Sequence, residues 1–180
     1  MTNPADKKDP VDHLTEAYEE MLEHVHDAME ETKENALPGL REYLSDVREK
    51  MVEIGELTRE EAEQIATYLE RDIKDAATYL RETGEQLSQW WHFDVQQVEN
   101  RLLELFINVA DQTKLELERL AESAKGTTFY HTGEVTGPGT LVCSNCGKSL
   151  NFKKAGHIPP CPDCKGTQFQ RFRNVPDDET

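Results

Sequence analysis

The residues with the clearest chemistry are four cysteines, all within one stretch, LVCSNCGKSLNFKKAGHIPPCPDCKG. Cys143 and Cys146 form one Cys-x-x-Cys pair and Cys161 and Cys164 another, with fourteen residues between the pairs. Two intervening residues let one tight turn present both sulfurs to a common point. Two such turns, brought face to face, supply four thiolates in a tetrahedron, which suits Zn²⁺ at about 2.3 Å. Gly147, and Lys165-Gly166, stand where each turn must fold back, and Pro162 stiffens the second turn. Zn²⁺ with four thiolates keeps a net negative charge, which Lys148 and Lys165 beside the turns can offset.

Other uses of the cysteines fit less well. CPDC resembles a dithiol redox motif, but that chemistry wants a βαβ setting and one exposed, low-pKa thiol. Neither is visible in the sequence. An iron–sulfur centre draws on the same donors but is the rarer use. Catalytic zinc needs an open coordination position, and four cysteines leave none. His157, between the pairs, is superfluous as a ligand and reads as a surface histidine. His24 and His26, two apart on a helix, point to different sides and read as solvated. Trp90, Trp91 and His92 read as packing between the helical part and the cysteine module.

Aromatic and basic residues alternate near the cysteines: Phe152, Lys153 and Lys154, then Phe169, Arg171, Phe172 and Arg173. Such interleaving can stack and neutralise single-stranded nucleic acid. The preferred reading is simpler: short strands point Phe into a small core and leave Arg in solvent.

What positions these residues is a chain of 180 residues with net charge −16. Residues 126–180 carry six Lys/Arg against five Asp/Glu, a net +1, which leaves −17 for residues 1–125. A segment so acidic repels phosphate and anionic lipid and favours basic protein surfaces. No run of about 18 apolar residues is present to span a membrane. The opening MTNPADKKDPVDH lacks the apolar stretch of a signal peptide. A cytoplasmic protein with reduced thiols is expected, which again favours metal over disulfides.

Helical periodicity fills the acidic part. Val11, Leu14, Tyr18, Met21, Leu22, Val25 and Met29 step by threes and fours within residues 10–35. Leu37, Leu40, Leu44, Val47, Met51 and Ile54 form a heptad seam, and Gly55 is suited to a left-handed stop. Thr58 with Glu61 reads as a capping box, opening a helix whose stripe is Ala62, Ile65, Leu69, Ile73, Ala76 and Leu80. A fourth helical region, with a second capping box at Asp94 and Gln97, places Val95, Val98, Leu102, Leu105, Val109 and Leu120 on one face. After Gly126, TTFYHTGEVTGPGTLVC, SLNFKK and TQFQRFR read as short strands broken by a TGPG turn. A module of about 55 residues builds little core, so metal should supply much of its folding free energy.

The segments GELTREE (55–61), DQTKLELE (111–118), YHTGEVTGPGTLVCSNCG (130–147) and CPDCKGTQFQR (161–171) resemble the YbeL-like zinc-ribbon-containing proteins of bacteria. The resemblance spans most of residues 40–173. It implies a cytoplasmic protein with a helical region followed by a C-terminal zinc ribbon, and marks Cys143, Cys146, Cys161 and Cys164 as ligands. It leaves activity open.

The expectation is therefore an α+β chain: an elongated antiparallel helical hairpin or bundle followed by a small β zinc ribbon. Its parts are a flexible start (1–9), an acidic coiled-coil-like helical domain (10–125), the ribbon (126–173) and a flexible tail (174–180). No nucleophile–base set or phosphate-binding loop points to an enzyme. One structural zinc, a protein partner and an adaptor role are expected. A nucleic-acid-binding ribbon tied to transcription or translation is the alternative, and self-association through Leu40–Ile54 a third reading.

Overall fold

The structure is a computed structural model, and it describes residues 10–31, 39–83, 100–120 and 128–172. The expected flexible ends, the packing of Trp90–His92, the Asp94 capping box, the 125/126 boundary and Arg173 lie outside those residues.

Among the described residues four helices precede six short strands: α1 (Pro10–Glu31), α2 (Leu40–Glu53), α3 (Arg59–Thr83) and α4 (Asn100–Leu120), then β1 (Phe129–His131), β2 (Val135–Thr136), β3 (Gly139–Cys143), β4 (Ser149–Phe152), β5 (Gly156–His157) and β6 (Gln168–Arg171). The α+β class read from the sequence holds. Helix α3 is central and packs on α1, α2 and α4. None of these described helices is long and apolar enough to cross a membrane.

The stripes meet in one core. Tyr18, Met21, Leu22, Val25 and Met29 of α1 are buried, as are Ala62, Ile65, Leu69, Ile73, Ala76 and Leu80 of α3. The seam of α2 is used inside the chain: Leu40, Leu44, Val47 and Met51 are buried in that core, Ile54 just past the helix is 55% exposed, and Leu37 lies outside the described residues. On α4 the buried face is Leu102, Phe106, Val109, Ala110 and Thr113, with Leu105 only half-buried. The sequence places Leu105 on that face, where it packs partly buried against the core, but the reading omits Phe106, which is fully buried there.

Local signals set the helix ends. Thr58 and Glu61 form the expected reciprocal cap: Thr58 N–H donates to Glu61 Oε2 at 2.9 Å, and Glu61 N–H to Thr58 Oγ1 at 3.2 Å. The Thr58 bonds hold the Glu61 carboxyl below its usual range. Helix α2 stops before Gly55 at φ +78°, a conformation glycine adopts without steric cost. Gly39 has no side chain to cap α2, and Glu116 of α4 substitutes by accepting the Leu40 N–H at 2.9 Å. A carboxylate there also complements the helix dipole.

The ribbon has two antiparallel sheets, one ordered β1-β6-β3-β4 and the other pairing β2 with β5. Tyr130, Leu141, Ile158 and Phe169 share its small core with Cys143 and Cys161. Val135 and Ala155 instead join the helical core, so the ribbon sits on the helices through its own apolar residues.

Candidate metal centre and its seat on the helices

Each cysteine pair occupies a matching backbone turn. Cys143 C=O accepts the Gly147 N–H at 2.9 Å while its own N–H donates to Lys148 C=O at 2.8 Å. Cys161 repeats the pattern with Lys165 N–H and Gly166 C=O, both at 2.9 Å. The residue after each second cysteine takes positive φ: Gly147 at +76° and Lys165 at +60°. Glycine is absent at the second such position but follows it at Gly166. A Cβ there would lie 3.2 Å from the sulfurs of both Cys143 and Cys164, so the glycine serves close approach rather than the turn. Ser144 N–H donates to Gln168 C=O at 3.0 Å, tying the first turn to β6.

The two turns bring all four sulfurs within 4.8 Å of one another. Two of the separations between turns are Cys143 to Cys164 at 3.6 Å and Cys146 to Cys161 at 3.5 Å. A disulfide needs about 2.05 Å, whereas sulfurs around a tetrahedral zinc at 2.3 Å lie about 3.8 Å apart. Crowding also divides the thiols. Hydrogen bonds from Asn145 and the Gly166 N–H pull Cys164 down to about 6. A bond from Lys148 N–H favours ionising Cys146, but its three cysteine neighbours push it up to about 12. Four sulfurs converging from two turns are a donor set that a dication suits. One structural zinc fits this site, held by Cys143, Cys146, Cys161 and Cys164. When bound it ties the two turns together, and four protein donors leave no position for a reacting water.

Lys148 Nζ pairs with Asp163 across the turns at 3.5 Å, and Lys165 Nζ donates to Pro162 C=O at 3.4 Å. His157 stays out of the sulfur cluster, its Nδ1 3.1 Å from Gly133 C=O. It is only half-exposed, because β5 pairs with Val135 of β2. His24 and His26 are likewise half-buried on α1, and Asn108 Nδ2 lies 3.4 Å from His26 Nε2.

The main departure is Arg171. Expected in solvent, its side chain is 1% exposed and lies 3.4 Å from Asp72 Oδ1 on α3. Phe169 does fill the core, so Phe and Arg both turn inward on β6. Their shared face follows from strand alternation, since they are two residues apart. Asp72 is fully buried and gathers partners from both parts of the molecule. Its Oδ2 accepts the Tyr18 hydroxyl at 2.8 Å, Thr136 Oγ1 at 3.0 Å and the Gly137 N–H at 2.7 Å. Arg71 Nε reaches Oδ1 at 3.2 Å, while its other nitrogens bind Glu134 and Val135 C=O. Arg171 Nη2 also donates to Thr136 Oγ1 at 2.7 Å. Tyr130 donates to buried Asp75 at 2.8 Å, with the Arg71 and Arg171 guanidinium carbons 3.9 and 4.7 Å from its ring centroid.

Burial alone would raise the Asp72 carboxyl. The two guanidiniums, the Gly137 N–H and the Tyr18 hydroxyl overcome it and hold the group below the usual carboxylate range. Tyr18 and Tyr130 are pushed the other way by burial, and Asp72 adds to it in both. A sequence signal for Asp72 existed. It lies seven residues from Ile65 and from Tyr79 and three from Leu69, on the buried stripe of α3.

A closed four-cysteine site on paired turns, within a small antiparallel sheet behind a helical bundle, defines a zinc-ribbon protein. The comparisons agree: the sequence profile of the zinc-ribbon containing domain family matches residues 15–173, and the chain belongs to that family. Among curated proteins it is 32% identical over 74 residues to the uncharacterized protein YbeL of Escherichia coli K12. YbeL of the O6:H1 and O157:H7 strains matches equally. The aligned segment is 41% of this chain and 46% of the relative's length. No solved structure matches.

Proposed function

We propose that the protein is a non-enzymatic adaptor, in which a zinc-fastened ribbon holds an acidic helical surface in shape for protein partners. The observation that carries this reading is the cleft between α1 and α4. Glu16, Glu19, Glu20 and Glu23 line one side, Leu102 and Leu105 the other, and Arg101 is the one cation among its described lining residues. Acidic walls beside two leucines suit a partner segment that mixes Lys or Arg with an apolar side chain. The −17 carried by residues 1–125 favours the approach of such a segment.

Cross-linked capture with the intact protein tests this, run beside a Glu19→Lys/Glu20→Lys variant. The adaptor reading expects repeatable partners with basic surfaces that the variant loses while keeping its zinc. Absence of any repeatable partner, or partners indifferent to the charge reversal, counts against it. The nucleic-acid alternative draws on Phe152, Lys153, Lys154, Phe169, Arg171, Phe172 and Arg173, and of these Arg171 is turned inward against Asp72 and Phe169 is buried. No oligonucleotide binding is expected at low salt, and binding that weakens steeply with salt would restore that alternative.

A further inference from the structure

The metal turns and the helices meet through one strand. Strand β6 begins four residues after Cys164, and Ser144 of the first turn bonds to its Gln168. Within β6, Phe169 is registered against Cys143 and Arg171 against Leu141. Arg171 then leaves the ribbon to meet Asp72, which also binds Tyr18 of α1. Arg171 is thus set by a strand that hangs from the zinc site, and it compensates a fully buried carboxylate in the middle of α3. Gly137 completes the seat: a Cβ there would lie 2.7 Å from the Tyr18 hydroxyl and 3.2 Å from Phe106. The ribbon backbone is pressed between α1 and α4.

We propose that zinc occupancy is transmitted to α1 and α3 through the Arg171–Asp72 contact, making the helices a conformational readout of the metal. With zinc bound, β6 holds Arg171 on Asp72, and Tyr18, Asp72 and Phe106 are sealed under the ribbon. Without it, a module with so small a core loses its main organiser. Arg171 withdraws, Asp72 keeps Arg71 as its helical cation, and a buried carboxylate short of compensation favours water. The α1–α3 face under the ribbon then opens. This inference does not depend on the adaptor reading.

Hydrogen exchange on the full chain, with thiols kept reduced, provides the test. It compares zinc-loaded and chelator-stripped protein for wild type, Arg171→Leu and Asp72→Asn. In wild type, stripping zinc should speed exchange at least about tenfold in α1 and α3 as well as in the ribbon, reversibly on zinc return. Complete unfolding of the helices would be the same coupling at full strength. Each variant should bind one zinc, show faster α3 exchange already when loaded, and respond less to stripping. Helices unchanged while the ribbon loses protection would overturn the proposal. Variants whose helices respond to zinc as fully as wild type would overturn the Arg171–Asp72 route.

Discussion

The sulfur cluster and the Asp72 junction both fasten distant parts of the chain, by opposite physics. The cluster joins cysteines 15 to 21 positions apart, through four sulfur donors that a dication would bridge. The junction joins Asp72 to residues 54 to 99 positions away, through groups already charged or hydrogen-bonded. Metal binding contributes folding free energy outright. A buried ion pair offsets its own desolvation and adds little net, yet losing one partner is costly. The ribbon therefore draws stability from its zinc, while the junction fixes where the ribbon sits.

The comparison predicts a graded set of effects. Stripping the zinc removes a binding free energy on the order of 10 kcal/mol, and the signature is loss of dispersed ribbon resonances in NMR. Asp72→Ala should cost about 3–5 kcal/mol in denaturant unfolding, since it takes away the carboxylate that the buried Arg171 meets. The surface pair of Arg48 and Glu63 supplies the contrast: Glu63→Ala should cost less than about 1 kcal/mol. A loss at Asp72 as small as that would erase the distinction between junction and surface.

The Asp72 effect also carries a pH signature. Its carboxyl is depressed in the folded state, so the stability it contributes is full above the unfolded carboxylate value of about 3.9. That contribution is lost as pH falls through the lower folded value. The stability gap between wild type and Asp72→Asn should be constant from neutral pH down to about 5 and shrink below about 4.

Gly137→Ala probes the fit of the seat and should cost about 1–3 kcal/mol by overpacking against Tyr18 and Phe106. At the sulfur end, Lys165 holds a φ of +60° that glycine tolerates better. Lys165→Gly should stabilise the ribbon by about 0.5–1 kcal/mol in thermal unfolding with zinc retained.

The two fasteners also differ in how far the sequence reveals them. Cysteine is rare here, four residues in 180, and fixed spacing links its type to its geometry. Cys143, Cys146, Cys161 and Cys164 could therefore be singled out, and the structure brings them together. The helical stripes were readable for the same reason, because a period of 3.6 leaves a trace in one dimension. Asp72 and Asp75 are hidden among 36 acidic residues, and only their place on the α3 stripe distinguishes them. Arg171 alternates in phase with Phe169, so both take the buried face of β6 while Gln168 and Gln170 take the other. Strand β5, two residues long, carries too little pattern to be seen.

The central claim is that the four cysteines form one closed zinc site, and X-ray absorption at the zinc edge on protein purified without added metal tests it most directly. The account predicts about one zinc per chain with four sulfur neighbours near 2.3 Å. A disulfide with no zinc, or a nitrogen or oxygen ligand in place of a sulfur, would contradict it.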